Sequence, residues 1–441
     1  MAPCVGRGPQ AILEAMADLD RPDIKTAYRP IGRDALLDIA TRYGVAPDLR
    51  RQLEAVSMVF PLRANPYVLE HLIDWDRVPD DPMFRLVFPQ PEMLPEAALG
   101  ALCDALSAQV GRAELDALVR RVRLSLNPQP AGQTTLNVPR LAGGALSGVQ
   151  HKYAETVLFF PSQGQTCHAY CTYCFRWAQF VDLPELKLAT REVSPLIAYL
   201  SEHPEVTDVL VTGGDPLIMR ARVLRRYLEP LLSVPTLRAI RIGTKALSWW
   251  PQRVLGDADA DDLLALFEEV AASGKHLALM AHVTHPRELS TPQAARAIAR
   301  VRGAGAIVRA QSPIVRGIND DAGTWADLWR AQVRLGVIPY YMFVPRDTGA
   351  RHLFSLPLAR AHEVYTDAIS QVSGLARTAR GPSMSTTRGK VVVDGAPTLG
   401  GERLFALRLL QARDPSQVNR TFFARYDPEA TWFDELELVG E

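Results

Sequence analysis

Six short apolar runs recur along the second half of this 441-residue chain: TVLFF (156–160), DVLVT (208–212), AIRIGT (239–244), LALMAHV (277–283), AIVRAQS (306–312) and IPYYMFV (338–344). Longer amphipathic stretches lie between and after them, from PLIAYLSEH to PLARAHEVYTDAISQV. Near-continuous apolar strands alternating with helices call for a parallel sheet covered on both faces. A doubly wound sheet or a barrel meets that demand, and six β/α units suit an α/β fold of the partial (β/α)6 TIM-like kind. In a barrel the chemistry gathers at the C-terminal ends of the strands.

The residues just past each run therefore form the functional shortlist. They are a cysteine loop after the first, Gly213, Gly214 and Asp215 after the second, Lys245 after the third, His282 to His285 around the fourth, Gln311 and Ser312 at the fifth, and Arg346 and Asp347 after the sixth. Ahead of the barrel (151–375), residues 35–150 alternate helical patterns with proline-rich punctuation and close on a Pro-, Gly- and Asn-rich connection. This predicts a mainly helical segment and linker, preceded by an extension over 1–34. The C-terminal segment, 376–441, ends in an aromatic, charged tail expected to pack on the barrel or on a second subunit.

Lysine plus arginine and aspartate plus glutamate each total 49, so no net field attracts nucleic acid or an anionic membrane. No apolar run approaches the ~20 residues of a bilayer helix, and the start shows neither a secretory nor a transit pattern. The expectation is a cytoplasmic protein, self-associating as a homo-oligomer, without nucleic-acid or membrane partners. Only six lysines occur, at 25, 152, 187, 245, 275 and 390, so any lysine-dependent chemistry has few candidates.

Three of the five cysteines, Cys167, Cys171 and Cys174, fall in a C-x3-C-x2-C spacing. Zinc would want a fourth ligand and usually shows paired C-x2-C arms, whereas a [4Fe-4S] cluster can be held by three cysteines with one iron open. S-adenosylmethionine chelating that iron can be cleaved reductively to a 5'-deoxyadenosyl radical. The spacing resembles that of radical S-adenosylmethionine enzymes, with unrelated buried cysteines or a zinc loop as the alternatives. Tyr173 suits contact with the adenine. Gly213, Gly214 and Asp215 would let backbone approach the methionine amino group, or form an ordinary turn. His282 could meet the nucleoside or serve only the structure, and Cys4 and Cys103 read as free thiols.

The blocks FPLRANPYVLEHLID, KYAETVLFF, LVTGGDPL, RIGTKALSWWPQRV, AHVTHPRELS, QSPIVRGIND and PYYMF, with the cysteine loop, resemble the lysine 2,3-aminomutase family in the family's order over roughly residues 45–395. The resemblance implies a crown-shaped partial barrel holding the cluster, S-adenosylmethionine and pyridoxal 5'-phosphate. It implies an isomerase in which the deoxyadenosyl radical removes a β hydrogen and the amino group migrates between the α and β carbons of an amino acid. The lysine carrying pyridoxal phosphate as an internal aldimine corresponds to Lys390, with Lys245 the other candidate on strand-end logic. Arg176 matches the arginine that grips the substrate carboxylate, and Gln311 and Ser312 match residues near pyridoxal phosphate. A low-potential electron donor, such as flavodoxin or ferredoxin, is also implied.

The chain departs from the family in places. GPSMSTTRGK replaces the glycine run before the lysine, and KYAET replaces a phosphate-binding block, so that Lys152 stands for one arginine and Thr156 for another. Phe343 replaces a tyrosine. Two aspartates that hold the substrate's distal ammonium correspond to Arg346 and Arg380, and cations there favour an anionic or polar side chain over lysine. Asp347, one residue on, is the alternative holder of the old role. A pyridoxal-independent radical enzyme (dehydrogenase, epimerase or peptide-modifying) is the second enzymatic reading, and a cluster-bearing redox sensor or scaffold the non-enzymatic one.

Overall fold

A computed structural model describes residues 28–128, 135–181 and 186–440, so Cys4 and most of the 1–34 extension lie outside the described residues. One sheet of thirteen strands organises the chain. Its strands are β1 Val149–Tyr153, β2 Thr156–Phe159, β3 Asp208–Val211, β4 Ala239–Thr244, β5 His276–His282, β6 Ile307–Pro313, β7 Ile338–Phe343, β8 Arg380–Ser385, β9 Gly389–Gly395, β10 Thr398–Leu399, β11 Glu402–Ala412, β12 Thr421–Arg425 and β13 Leu438–Val439. Strands β2 to β8 run parallel, each beside the next, and β1 pairs antiparallel with β2 at one edge. The antiparallel strands β9, β11, β12 and β13 extend the other edge.

The six apolar runs are β2 to β7, and a helix of the expected register follows each: Ser194–Glu202, Ala221–Leu232, Ala260–Ala272, Pro292–Gly303, Ala322–Arg334 and Leu358–Ser370. In Ala221–Leu232 the buried Leu224, Tyr227, Leu228 and Leu231 recur at three- and four-residue spacing, giving one apolar stripe. Thr291 and Asp321 cap two of the helices by accepting from the backbone N–H groups of Ala294 and Thr324. The stripes pack on the outward residues of the strands, such as Ile240 and Ile242 of β4, to make the main core. Alternate strand residues then face the lumen, which is where Arg241 lies.

Among the described residues no ladder pairs β1 with the C-terminal strands. Side chains bridge them instead: Lys152 of β1 donates to the Thr386 carbonyl in the β8–β9 turn, and Arg413 beyond β11 donates to Asn137 and to the Thr387 carbonyl. The sheet runs without a break past residue 376, since β8 adds in parallel to β7. A second apolar cluster, with Val391, Phe405, Leu407, Trp432 and Phe433, joins the C-terminal strands and tail to Val344 and Leu358 of the barrel. The tail thus seats on its own barrel, with Leu358 N–H donating to the Ala430 carbonyl at 2.8 Å. Residues 36–125 carry five helices, Leu36–Arg42, Pro47–Val59, Pro82–Val87, Glu96–Ser107 and Arg112–Ser125, which share a third cluster with Ala169 and Trp177 of the cysteine loop. Among the described residues no helix is long and apolar enough to cross a membrane.

Candidate active site

The cysteine loop leaves the end of β2 and is gripped by the helical N-terminal segment. Tyr170 N–H donates to the Arg63 carbonyl and Thr172 N–H to the Leu86 carbonyl, both at 2.9 Å. The buried Asn65 amide donates to the His168 and Trp249 carbonyls, at 3.2 and 3.0 Å. Tyr28 donates to the His168 carbonyl at 3.1 Å and stands edge-on to the His168 ring. This cradle was not anticipated from the sequence, although Asn65 falls in one of the blocks quoted above.

Cys167, Cys171 and Cys174 are all free thiols. Burial pushes each thiol up, Cys171 to about 12, and for Cys167 the charges of Asp215, Cys174 and Cys171 add to it. Three crowded sulfurs that resist ionisation want a cationic centre. The C-x3-C-x2-C spacing and the mutual approach of the three sulfurs fit a four-iron cluster, in which each cysteine would meet its own iron.

Gly213 and Gly214 sit against the cysteine loop. A Cβ on Gly214 would sit 2.3 Å from the Thr166 carbonyl oxygen, and one on Gly213 would meet the Gln165 side chain and the Gly164 carbonyl. The glycines are bare on that side because the cysteine loop packs on them. Asp215 is spent internally. Its carboxylate accepts from the backbone N–H groups of Leu217 and Lys245 and from the Thr244 hydroxyl, all at 2.8 to 2.9 Å. It ties the ends of β3 and β4 together.

Lys245 is engaged within the fold. It forms an ion pair with the fully buried Glu288 at 2.5 Å, bonds to the His282 carbonyl at 3.1 Å, and lies over Trp249. Glu288 also accepts from Thr284 N–H, His285 N–H and the Ser248 hydroxyl. Replacing Glu288 with alanine leaves a buried ammonium and two N–H groups unpaired, and is expected to lower the unfolding free energy by about 3–5 kcal/mol; urea denaturation checks this. Tyr173 is tied to Thr284 at 2.6 Å and to His282 at 3.3 Å, with the two rings stacked. Burial drives the His282 imidazole far below its usual range, so it is neutral. The pair lies beside the cysteines and can offer a ring and a polar edge to a nucleoside.

Lys390 stands in a different environment. It sits on β9 opposite Ser385, with its Nζ 4.0 Å from the Tyr341 ring centroid and 5.5 Å from that of Phe343. It has no hydrogen bond or ion pair among the described residues. Burial, and then Arg241, Arg380 and Lys152, lower it to about 7. Gly389 is glycine because a Cβ would lie 2.2 Å from the Gln411 carbonyl oxygen of β11. Burial, Arg346 and Arg413 lower Lys152 to about 7 as well. Arg380 stacks on Tyr341 and Tyr340, at 4.3 and 4.7 Å. Gln311 pairs in register with His282 and Tyr341 across β5 and β7. Ser312, one residue on, takes the opposite face, where it is buried and bonded to the Pro313 carbonyl. Strand alternation keeps the two from sharing a site.

Two guanidiniums keep N–H groups in reserve. Arg176 is buried, lies 4.2 Å over Phe160, bonds to Gln165 at 3.1 Å, and has no partner for its Nε. Arg346 is half-buried, with Nε and Nη2 buried and without hydrogen-bond partners, and Asp347 approaches its Nε to 3.9 Å. Buried donors without acceptors fit anionic occupants. A lysine lowered to about 7 beside Lys152, Arg380 and the Asp208-paired Arg241 has the chemistry to hold pyridoxal phosphate: Lys390 would carry it, with Lys152 and Arg380 near its phosphate.

The sequence has curated relatives. The chain is 34% identical over 408 residues, 92% of this chain and 96% of the other, to an Aquifex aeolicus protein provisionally named L-lysine 2,3-aminomutase. It is 30% identical over 230 residues to the L-lysine 2,3-aminomutase of Bacillus subtilis, covering 52% of this chain and 46% of that one. The Escherichia coli L-lysine 2,3-aminomutase is 30% identical over 228 residues, 52% and 63% of the two chains. No family model matches. Among solved structures, Streptococcus suis SuiB superposes at a TM-score of 0.36 with 11% identity, over 72% of this chain and 67% of that one. A radical SAM methyltransferase from Sphaerobacter thermophilus gives 0.35 with 12% identity, over 79% and 93%.

Proposed function

We propose, from the premise that this chain belongs to the lysine 2,3-aminomutase family of radical S-adenosylmethionine enzymes, that it moves an amino group between the α and β carbons of an amino acid with an anionic or polar side chain. The observation that carries the reading is Lys390: an unpartnered amine, lowered to about 7, set among Lys152, Arg241 and Arg380. An amine half-neutral near physiological pH can attack a carbonyl, and the surrounding cations suit a phosphate.

The chain's own groups divide the work. Tyr341 and Phe343, stacked at 5.0 Å, give Lys390 an apolar floor. Arg176, beside Cys174, supplies a buried guanidinium for the α-carboxylate. Arg346, with two free N–H groups, receives the distal end of the side chain. When bound, the cluster with S-adenosylmethionine supplies a 5'-deoxyadenosyl radical, and pyridoxal phosphate supplies a π system that spreads unpaired spin. An external low-potential donor of flavodoxin or ferredoxin type delivers the electron. Asp347 bonds to Asn127 and keeps one oxygen unpartnered, so it adds an acceptor beside Arg346 and widens the choice to polar side chains.

The test is borohydride reduction of cluster-replete, pyridoxal-phosphate-treated protein, followed by digestion and mass spectrometry of all six lysines. A phosphopyridoxyl group on Lys390 and none on Lys245 is expected; its absence from every lysine would shift the reading to a pyridoxal-independent radical enzyme. In a substrate panel, glutamate or aspartate should outrun lysine by roughly 100-fold in kcat/KM, the scale of a like-charge mismatch. Lysine emerging as the best substrate removes the acidic preference.

A further inference from the structure

Arg346 has two rings against it, and the carboxylate of Asp347 stands 3.9 Å from its Nε, beyond hydrogen-bond distance. Its guanidinium carbon lies 5.6 Å from the Phe175 ring centroid and 6.0 Å from that of Trp432. Phe175 belongs to the cysteine loop, between Cys174 and Arg176, while Trp432 comes from the C-terminal tail. Trp432 is firmly seated. It is 3% exposed in the C-terminal cluster, its N–H donates to Glu435 at 3.3 Å, and the tail just before it bonds to Leu358 through Ala430. Glu435 in turn pairs with Arg351.

Aromatic faces attract a guanidinium without using its N–H groups, whereas a carboxylate at bonding distance consumes them. Nε and Nη2 of Arg346 are accordingly buried and unspent. We propose that Trp432 is a specificity-determining positioning residue: with Phe175 it brackets Arg346, so that the guanidinium offers its N–H edge to an acceptor on the substrate's distal end. The tail is then a wall of the substrate pocket, supplied by the same chain. This deepens the reading of Arg346 given above and rests on it.

Two readouts on cluster-replete enzyme test the bracket, one of which needs no substrate. Trp432→Leu keeps apolar bulk and removes the ring; Trp432→Phe keeps a ring. Phenylglyoxal labelling of Arg346, followed by mass spectrometry, should rise about fivefold in Trp432→Leu with Arg176 labelling unchanged, and return towards wild type in Trp432→Phe. The kcat/KM ratio for glutamate over glutamine should fall by about the same factor and recover with the same ring. Unchanged Arg346 labelling in a cooperatively unfolding Trp432→Leu protein overturns the bracket. Raised labelling with an unmoved ratio overturns its part in specificity. If Arg346→Gln also leaves the ratio unmoved, the fault lies with Arg346 as a substrate group and not with Trp432 as its positioner.

Discussion

Replacing Lys390 with alanine is expected to lower turnover by at least about a thousandfold and to abolish the borohydride-trapped adduct, while iron content and the far-ultraviolet spectrum stay as in the wild type. Among the other described lysines, Lys187 is exposed, Lys245 is committed to Glu288, Lys275 donates to the Val234 and Leu237 carbonyls, and Lys152 is bonded to the Thr386 carbonyl. The lowered Lys390 adds a pH signature. Covalent capture of pyridoxal phosphate needs the neutral amine, so its rate should fall as pH drops through about 7, with the slope of a single proton. Stability follows the opposite reference. The unfolded chain keeps this proton up to the ordinary lysine range near 10.5, whereas the folded chain releases it near 7, so apo-protein stability rises with pH across that window. Lys152 is lowered similarly and contributes alike. Denaturant midpoints between about pH 7 and 8, below the range in which the unfolded cysteine thiols ionise, should therefore rise with pH on a slope that Lys390→Ala lowers; an unaltered slope would remove Lys390 as one of the depressed amines.

Strand and helix periodicity made the barrel legible. The run AIRIGT alternates Ile240 and Ile242 outward with Arg241 inward, and that alternation is what the structure uses. The cysteine spacing was legible because its signal is local. The rest of the site depends on contacts between distant segments that no periodicity encodes. Arg346 meets Trp432 because the antiparallel strands fold the tail back onto the barrel, and Asn65 reaches the His168 carbonyl from the N-terminal segment. Polar residues at strand ends also serve the rim itself, because a barrel rim needs internal bonds to bind its own loops. Asp215 and Lys245 are consumed that way, with their bonding capacity met by Thr244 and Glu288. A rim residue with spare donors, such as Arg346, cannot be told from a spent one until its partners are known.

Gly214→Ala is expected to reduce bound iron to well under half of the wild-type content and to remove the electron paramagnetic signature of S-adenosylmethionine on the reduced cluster. The added methyl would lie 2.3, 2.5 and 2.6 Å from the Thr166 oxygen, carbonyl carbon and nitrogen. All three are backbone atoms, so no side chain can swing away, and the segment leading into Cys167 must move. That segment is also pinned from the other side, since Asp215 N–H donates to the same Thr166 oxygen at 2.7 Å. Overpacking of this kind costs about 1–3 kcal/mol, which a chain of this size can absorb. The damage should therefore appear in the cluster before it appears in the fold. Gly374→Ala, where a Cβ meets nothing within 4 Å, is the matched control and should keep full iron content. Gly213→Ala should fall between the two, because its closest clash is with the movable Gln165 side chain at 2.4 Å, although the Gly164 carbonyl stands at 2.7 Å. A Gly214→Ala protein that retains both iron and the spectroscopic signature would mean that the N-terminal cradle of Arg63, Asn65 and Leu86, rather than the glycine turn, sets the position of the cysteine loop.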